Sequence, residues 1–309
     1  MQFNFRITPR NAGSILLAKY CPRCFWILSG MAFHPPFNNF GGAIFHDCQD
    51  MQEAVVGYLL EKNGCLPKEF APFSDCKARV DFPKDWRKFG CKHKSGIYLY
   101  GEMDDLLKRA DETLLVVDHK TAHPKGDKDP FRSQYEIQTI GYAHITEEIN
   151  LGHVSSAALF YWDVQHTEVV ANPGKFYHDG RLVAPFAPSV HEVEVDYSRL
   201  DQVLKEVKKV WMSKTPPEGR EGCTDCKRFF ALLAIQAEID ETLRQVDQKM
   251  LAASGNDRAM LRYVHQRSFH QKWSRIEALR AAHTGTLLFE KDGMAANWEN
   301  FPAENSRGD

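Results

Sequence analysis

No stretch of this 309-residue chain is apolar for long enough to span a membrane, and its opening residues, MQFNFRITPR, hold no apolar core of signal-peptide length. The expectation is a cytoplasmic protein with no membrane role. A charge bias is missing too: 39 Lys and Arg stand against 41 Asp and Glu, for a formal charge of −2 and a pI near 6.7. Any nucleic-acid surface must therefore be a local patch. No Gly-rich phosphate loop or dinucleotide fingerprint follows any expected strand, which removes the common nucleotide-binding signatures. Cysteine is present eight times. In an intracellular chain these read as metal ligands, buried thiols or redox groups rather than a disulfide framework. With 43% hydrophobic and 26% charged residues, the composition is that of a globular protein. Its length allows one large domain, or a core with an appendage.

The most informative stretch is GEMDDLLKRADETLLVVDHKT, Gly101 to Thr121. It reads as two short strands, the first ending near Asp104 and Asp105, joined by a polar turn over Lys108 to Glu112. The run Leu114 to Val117 suits a strand buried on both faces. It delivers Asp118, His119 and Lys120. Alternation points Asp118 and Lys120 to one face and His119 to the other, with Asp104 on the neighbouring strand. A one-residue change of register would substitute Asp105 for Asp104.

Around this stretch a helix is expected from about Ala43 to Leu60, with Ile44, Cys48, Met51, Val55, Tyr58 and Leu59 as its buried stripe. His46 lies off that stripe, and by itself reads as an exposed or capping histidine. A basic loop, KDWRKFGCKHK, interleaves Lys84, Arg87, Lys88, Lys92 and Lys94 with Trp86 and Phe89, a pattern that suits either phosphate and base contacts or a solvated hairpin tip. Strands are expected at Ala78 to Phe82 and Gly96 to Tyr100. A helix over Ser133 to Ile149 sets Gln138 and Tyr142 four apart on one face. Further strands are expected at Ser156 to Val164, Glu168 to Ala171, Lys175 to Val183 and His191 to Val195, then an amphipathic helix over Ser198 to Met212. Strands mixed with single helices in this order indicate an α/β or α+β core.

Two Cys-x-x-Cys pairs, Cys21/Cys24 and Cys223/Cys226, flank that core. If the chain ends meet, they offer four thiolates to one zinc ion or iron–sulfur cluster. Cys48 falls on an expected core face, while Cys65, Cys76 and Cys91 have no assignment. Beyond Lys227 the pattern Leu232, Ile235, Ile239, Leu243, Val246, Met250, then Leu261, Val264, Trp273, Ile276, Leu279 indicates a helical hairpin, folded on the core or offered to a protein partner.

Asp104, the Asp118-His119-Lys120-Thr121 run, His46 after a Gly-containing lead-in and Gln138-x-x-x-Tyr142 together resemble the PD-(D/E)XK nuclease superfamily. More narrowly they resemble its RecB-like branch, which includes the cluster-bearing exonucleases of CRISPR adaptation and the AddB-type recombination nucleases. The cysteine pairs before and after the core strengthen that likeness, which covers about residues 10–230. It implies a restriction-endonuclease-like α/β fold: a central mixed sheet flanked by helices, with a nuclease core over 1–227 closed by the four-cysteine site. A helical hairpin over 228–283 and a tail over 284–309 would follow. It further implies a metal-dependent deoxyribonuclease acting on single-stranded DNA or DNA ends. Asp104, Asp118, the His119 carbonyl and His46 would hold Mg²⁺ or Mn²⁺, Lys120 would serve the attacking water, and Gln138 and Tyr142 would hold the substrate strand or position Lys120. Cys21, Cys24, Cys223 and Cys226 would hold a 4Fe–4S cluster, with structural zinc as the alternative. Met103 stands where the superfamily's name has proline. The two-and-two cysteine arrangement also departs from the one-before, three-after pattern of the cluster-bearing relatives. Two other classes compete: a cluster-containing, DNA-binding scaffold or partner subunit that does not cut, and a zinc-stabilised interaction protein working through its helical hairpin.

Overall fold

The computed structural model describes residues 6–30, 43–85 and 87–232, and beyond these only residues 234, 241, 244, 245 and 248. The expected hairpin over 228–283 lies almost wholly outside the described residues, as do the tail over 284–309 and Trp86. The chain divides into two compact units, Met1–Glu221 and Gly222–Asp309.

In the first unit, β1 (Arg6–Ile7) leads into α1 (Pro9–Gly13), a 3-10 turn over Ser14–Leu16 and α2 (Pro22–Gly30). Thr8 caps α1 by accepting from the Asn11 N–H at 3.2 Å, and Pro9 at the first helical position has no N–H to leave unpaired. Cys21 thus precedes a helix and Cys24 sits in its first turn. There follow α3 (Ala43–Asn63), a 3-10 turn over Lys68–Phe70, β2 (Ala78–Arg79), β3 (Gly90–Lys92), β4 (Tyr98–Tyr100), β5 (Asp105–Lys108) and β6 (Leu114–Lys120). The remainder is α4 (Arg132–Glu148), β7 (Val154–Val164), α5 (His166–Ala171), α6 (Pro173–Phe176), β8 (Tyr177–His178), β9 (Arg181–Leu182), β10 (Phe186–Val193) and α7 (Tyr197–Trp211).

Five strands form a mixed sheet in the order β10-β7-β6-β5-β2. β6 and β7 are parallel and joined through α4, as a parallel pair requires a crossover; the other pairings are antiparallel. Side-chain alternation divides the core into two layers. Leu106, Leu114, Val116, Ala157 and Leu159 face α4 and α7. Leu107, Leu115, Val117, Ala158, Phe160 and Trp162 face α3 and the Phe70–Phe73 segment. The sheet is thus a central layer between helices, an α/β architecture. A smaller sheet, β1-β4-β3, stands beside it.

Several expectations change, among them the strand over Lys175 to Val183, which is the end of α6 followed by the short β8–β9 hairpin. Asp104 and Asp105 stand at the start of the first strand of the hairpin rather than at its end, because the chain only becomes extended against β6 from Asp105 onward. On α3 the buried stripe is Cys48, Gln52, Val56 and Leu60, spaced by four, while Ile44, Met51, Val55 and Tyr58 are exposed. Glu168–Ala171 is helical: Asn172 N–H bonds to the Glu168 carbonyl at 3.0 Å, and no strand lies alongside to reward its β-branched residues. The whole passage from His166 to Ala184 leaves only Phe176 buried, and the Gln165 N–H donates to the Pro185 carbonyl at 3.0 Å where the passage returns.

In the second unit Gly222 takes a φ of 67°, and residues 224–232 are helical, with Arg228 paired to Asp225 at 3.3 Å.

Candidate active site

The C-terminal end of β6 opens into a cleft of about 1090 Å³, walled by α3, the Tyr100–Asp104 segment, α4 and the Thr8–Arg10 segment. His46, Asp104, Asp118, His119, Lys120, Gln138 and Tyr142 all line it. Asp105 does not. The alternation that buries Leu115 and Val117 on one face turns Asp118 and Lys120 to the other, where they form an ion pair. His119 points backward, its side-chain atoms fully buried.

Asp104 is fixed from two sides. Its Oδ2 accepts the His119 backbone N–H at 2.7 Å and its Oδ1 accepts from Gln49 Nε2 at 2.8 Å. Burial, and then the neighbouring Asp118 carboxylate, push its carboxyl up to about 7. Two carboxylates crowded into a buried place, one of them displaced toward neutrality, are short of positive charge. Asp118 Oδ2 is paired with the Lys120 ammonium.

Lys120 Nζ lies 4.3 Å from the centre of the Tyr135 ring, so the ammonium rests between a carboxylate and a π face. Gln138 Nε2 reaches the Tyr142 hydroxyl at 3.4 Å, while Gln138 Oε1 is buried with no partner and remains available as an acceptor. Burial, with Asp118 next in weight, raises the Tyr142 hydroxyl far above its usual range, so it stays protonated and acts as a donor. The Tyr142 ring packs directly over Gly101, where a Cβ would stand 2.6 Å from Cε1. Glycine there is what lets the ring lie against the chain that carries Asp104.

Several lining residues were not singled out from the sequence. On α3, Gln49 and Glu53 join His46 at a spacing of three and seven, a polar face that helical periodicity could have revealed. Gln52 Nε2 donates to Thr121 Oγ1 at 2.7 Å. Lys84, which among the described residues is the one member of the basic loop lining the cleft, donates to the Asp104 carbonyl at 3.0 Å and lies 3.4 Å from Glu53. Arg87, Lys88, Lys92 and Lys94 are exposed. His46 is exposed on the cleft wall. Among the described residues it does not join the two aspartates in a convergent three-ligand group. None of Cys21, Cys24, Cys223 and Cys226 is in a disulfide, and all but Cys24 are buried.

A family model described as the PD-(D/E)XK nuclease superfamily matches residues 46–228, more than half of the chain and all of the cleft's β6, α3 and α4 side chains named above. The chain belongs to the PD-(D/E)XK nuclease superfamily. No curated protein matches it. Among solved structures, "Crystal structure of SSO0001" is similar at 11% identity and a TM-score of 0.32, over 70% of this chain and 80% of that one, a likeness too slight to bear on function.

Nucleases of the PD-(D/E)XK superfamily use divalent metal ions, and this cleft fits one. Hard cations such as Mg²⁺ need only one or two carboxylates and complete their shell with carbonyl and water oxygens. Asp104 and Asp118 could supply such a pair, and the raised Asp104 carboxyl beside Asp118 marks a place where added positive charge would be welcome. Among the described residues no helix is long and apolar enough to cross a membrane.

Proposed function

We propose that this protein is a metal-dependent deoxyribonuclease of the RecB-like branch, a cytoplasmic exonuclease working on single-stranded DNA or DNA ends. The observation that carries the phosphodiesterase reading is the buried Asp104–Asp118 pair with Lys120 at one strand end in an open cleft. The choice of DNA and of exonucleolytic cutting rests on the resemblance of the motifs to that branch.

Asp104, Asp118 and the His119 carbonyl would hold Mg²⁺ or Mn²⁺, with His46 available from α3. A bound divalent ion would neutralise charge on the scissile phosphate and acidify the attacking water. Lys120, steered by Asp118 and Tyr135, orients that water and offsets the negative charge that builds at phosphorus. Tyr142 donates to, and Gln138 grips, the strand being cut. Lys84 and Arg10 add positive charge to the cleft for the phosphate backbone. The residues 1–227 act as the nuclease core, and Cys21, Cys24, Cys223 and Cys226 hold a 4Fe–4S cluster. Protein purified without oxygen should then show a broad absorption toward the blue, whereas a colourless protein carrying zinc would replace the cluster with the zinc site.

Asp118→Ala and Lys120→Ala should each abolish Mn²⁺-dependent cleavage of end-labelled DNA while far-UV circular dichroism and melting remain those of a folded protein. Cleavage retained in both variants overturns the assignment.

A further inference from the structure

Behind the cleft, on the opposite face of β6, four side chains form a continuous chain of polar contacts, buried except at Arg79. Trp162 Nε1–H donates to His119 Nδ1 at 2.9 Å. Indole nitrogen can only donate, so Nδ1 must be the bare acceptor nitrogen of the imidazole. The proton therefore sits on Nε2, which lies 2.9 Å from Asp105 Oδ2 and donates to it. The other Asp105 oxygen pairs with the Arg79 guanidinium, and Arg79 also reaches Glu53 Oε2 at 3.3 Å on the cleft wall. Asp105 and the His119 side chain are completely shut off from solvent. An isolated carboxylate there would be costly, and it is tolerated because a guanidinium and an imidazole N–H share its charge.

The peptide that carries this histidine is also the one that faces the cleft. His119 lies between Asp118 and Lys120, and its backbone N–H braces Asp104 at 2.7 Å. Asp105 is bonded in sequence to Asp104. The two central members of the chain are thus each one covalent step from a cleft carboxylate: His119 from Asp118, Asp105 from Asp104. The rings of Phe160 and Trp162 flank the imidazole at centroid distances of 5.8 and 6.0 Å.

We infer that Trp162, His119, Asp105 and Arg79 form a positioning relay that sets the spacing of Asp104 and Asp118, and with it the affinity of the cleft for its divalent ion. Both nitrogens of its imidazole are engaged. The relay rests on the reading that Asp104 and Asp118 bind the ion. Groups that orient metal ligands from behind typically alter metal affinity by roughly 10–100-fold when removed.

The test compares Trp162→Phe, which keeps the ring and deletes the donor, with Arg79→Gln, placed at the partly exposed end where folding tolerates change. Mn²⁺ binding is measured by calorimetry on the full chain with its cysteine site loaded, beside DNA cleavage against Mn²⁺ concentration. Asp118→Ala serves as the control for the cleft itself. The expected result is Mn²⁺ binding weakened about tenfold or more in both variants, with cleavage at saturating Mn²⁺ recovered to within a few-fold of the parent. A purely structural role would lower the melting temperature and leave Mn²⁺ affinity unchanged, and would overturn the relay. If Asp118→Ala binds Mn²⁺ at the cleft as the parent does, or the parent binds none, the carboxylate-site reading fails first and the relay with it.

Discussion

Replacing Gly101 with alanine tests the packing on which the cleft depends. The new Cβ would meet Tyr142 Cε1 at 2.6 Å, Oη at 3.1 Å and Cζ at 3.3 Å. Carbon atoms in comfortable contact stand about 3.5–4.0 Å apart, so the ring must withdraw by about 1 Å. It has nowhere to go. Tyr142 is 4% exposed, packs against Phe89 at a centroid distance of 6.0 Å, and belongs to the interior of α4. Overpacking of this kind costs about 1–3 kcal/mol, and in a domain of this size each kcal/mol lowers the melting temperature by roughly 2–4 °C. The same displacement pulls the Tyr142 hydroxyl from Gln138, and a misplacement of that order can reduce turnover on the order of 10²-fold. Differential scanning calorimetry and the end-labelled DNA assay read the two effects. Combining Gly101→Ala with Tyr142→Leu should restore stability relative to the sum of the single changes, because the smaller side chain vacates the clash. A Gly101→Ala protein that melts with the parent and cuts at the parental rate would show that the ring is not held as described.

The face of α3 is tested by two substitutions of equal chemistry: Leu60→Ala should destabilise by about 2–5 kcal/mol, and Met51→Ala, on the exposed side, by less than about 0.5 kcal/mol, both read from urea midpoints. Burial, followed by the Asp75 carboxylate for Cys76 and by Glu148 for Cys91, pushes both thiols up to about 12. Peptide mapping after iodoacetamide at pH 8 should find the exposed Cys65 alkylated and these two untouched until denaturant is added. Glu136 joins α4 to α7 and β10, bonded by Arg199 at 2.6 Å and lying 3.1 Å from His191 Nε2. Burial alone would raise its carboxyl, but these partners outweigh it and hold the group below its ordinary 4.5. A depressed folded-state value stabilises above the unfolded value and loses that contribution as pH falls through the folded one. The melting-temperature gap between the parent and Glu136→Gln should therefore be full at pH 6 and close as the pH drops below about 4; a gap constant down to pH 3 contradicts it.

How much of this was legible depended on whether one residue type had one physical meaning. Leu114 to Val117 announced a doubly buried strand, because only a central strand hides four consecutive apolar side chains. Asp118 and Lys120 then shared a face by alternation alone. The choice between Asp104 and Asp105 lay beyond alternation, since it turned on where β5 begins, and that is set by pairing with Val117 across the sheet. Apolar residues misled on α3: Cys48, Gln52, Val56 and Leu60 face inward because the cleft and the Phe70 cluster lie there, and a buried glutamine carries no hydrophobic signal. His119 was assigned only its backbone carbonyl. Its side chain acquired a purpose once the fold brought Trp162, 43 positions later, within 2.9 Å.

The passage between β7 and β10 offers a practical opening. Its two ends are already stitched by the hydrogen bond between Gln165 and Pro185, and almost everything between them faces solvent. Because closing a loop whose ends already touch depends only weakly on its length, this is where a fluorophore, an affinity handle or a surface tether can be inserted, or the passage trimmed to a tight turn. A protein anchored there would leave its cleft, lined by other segments of the chain, free of the tether.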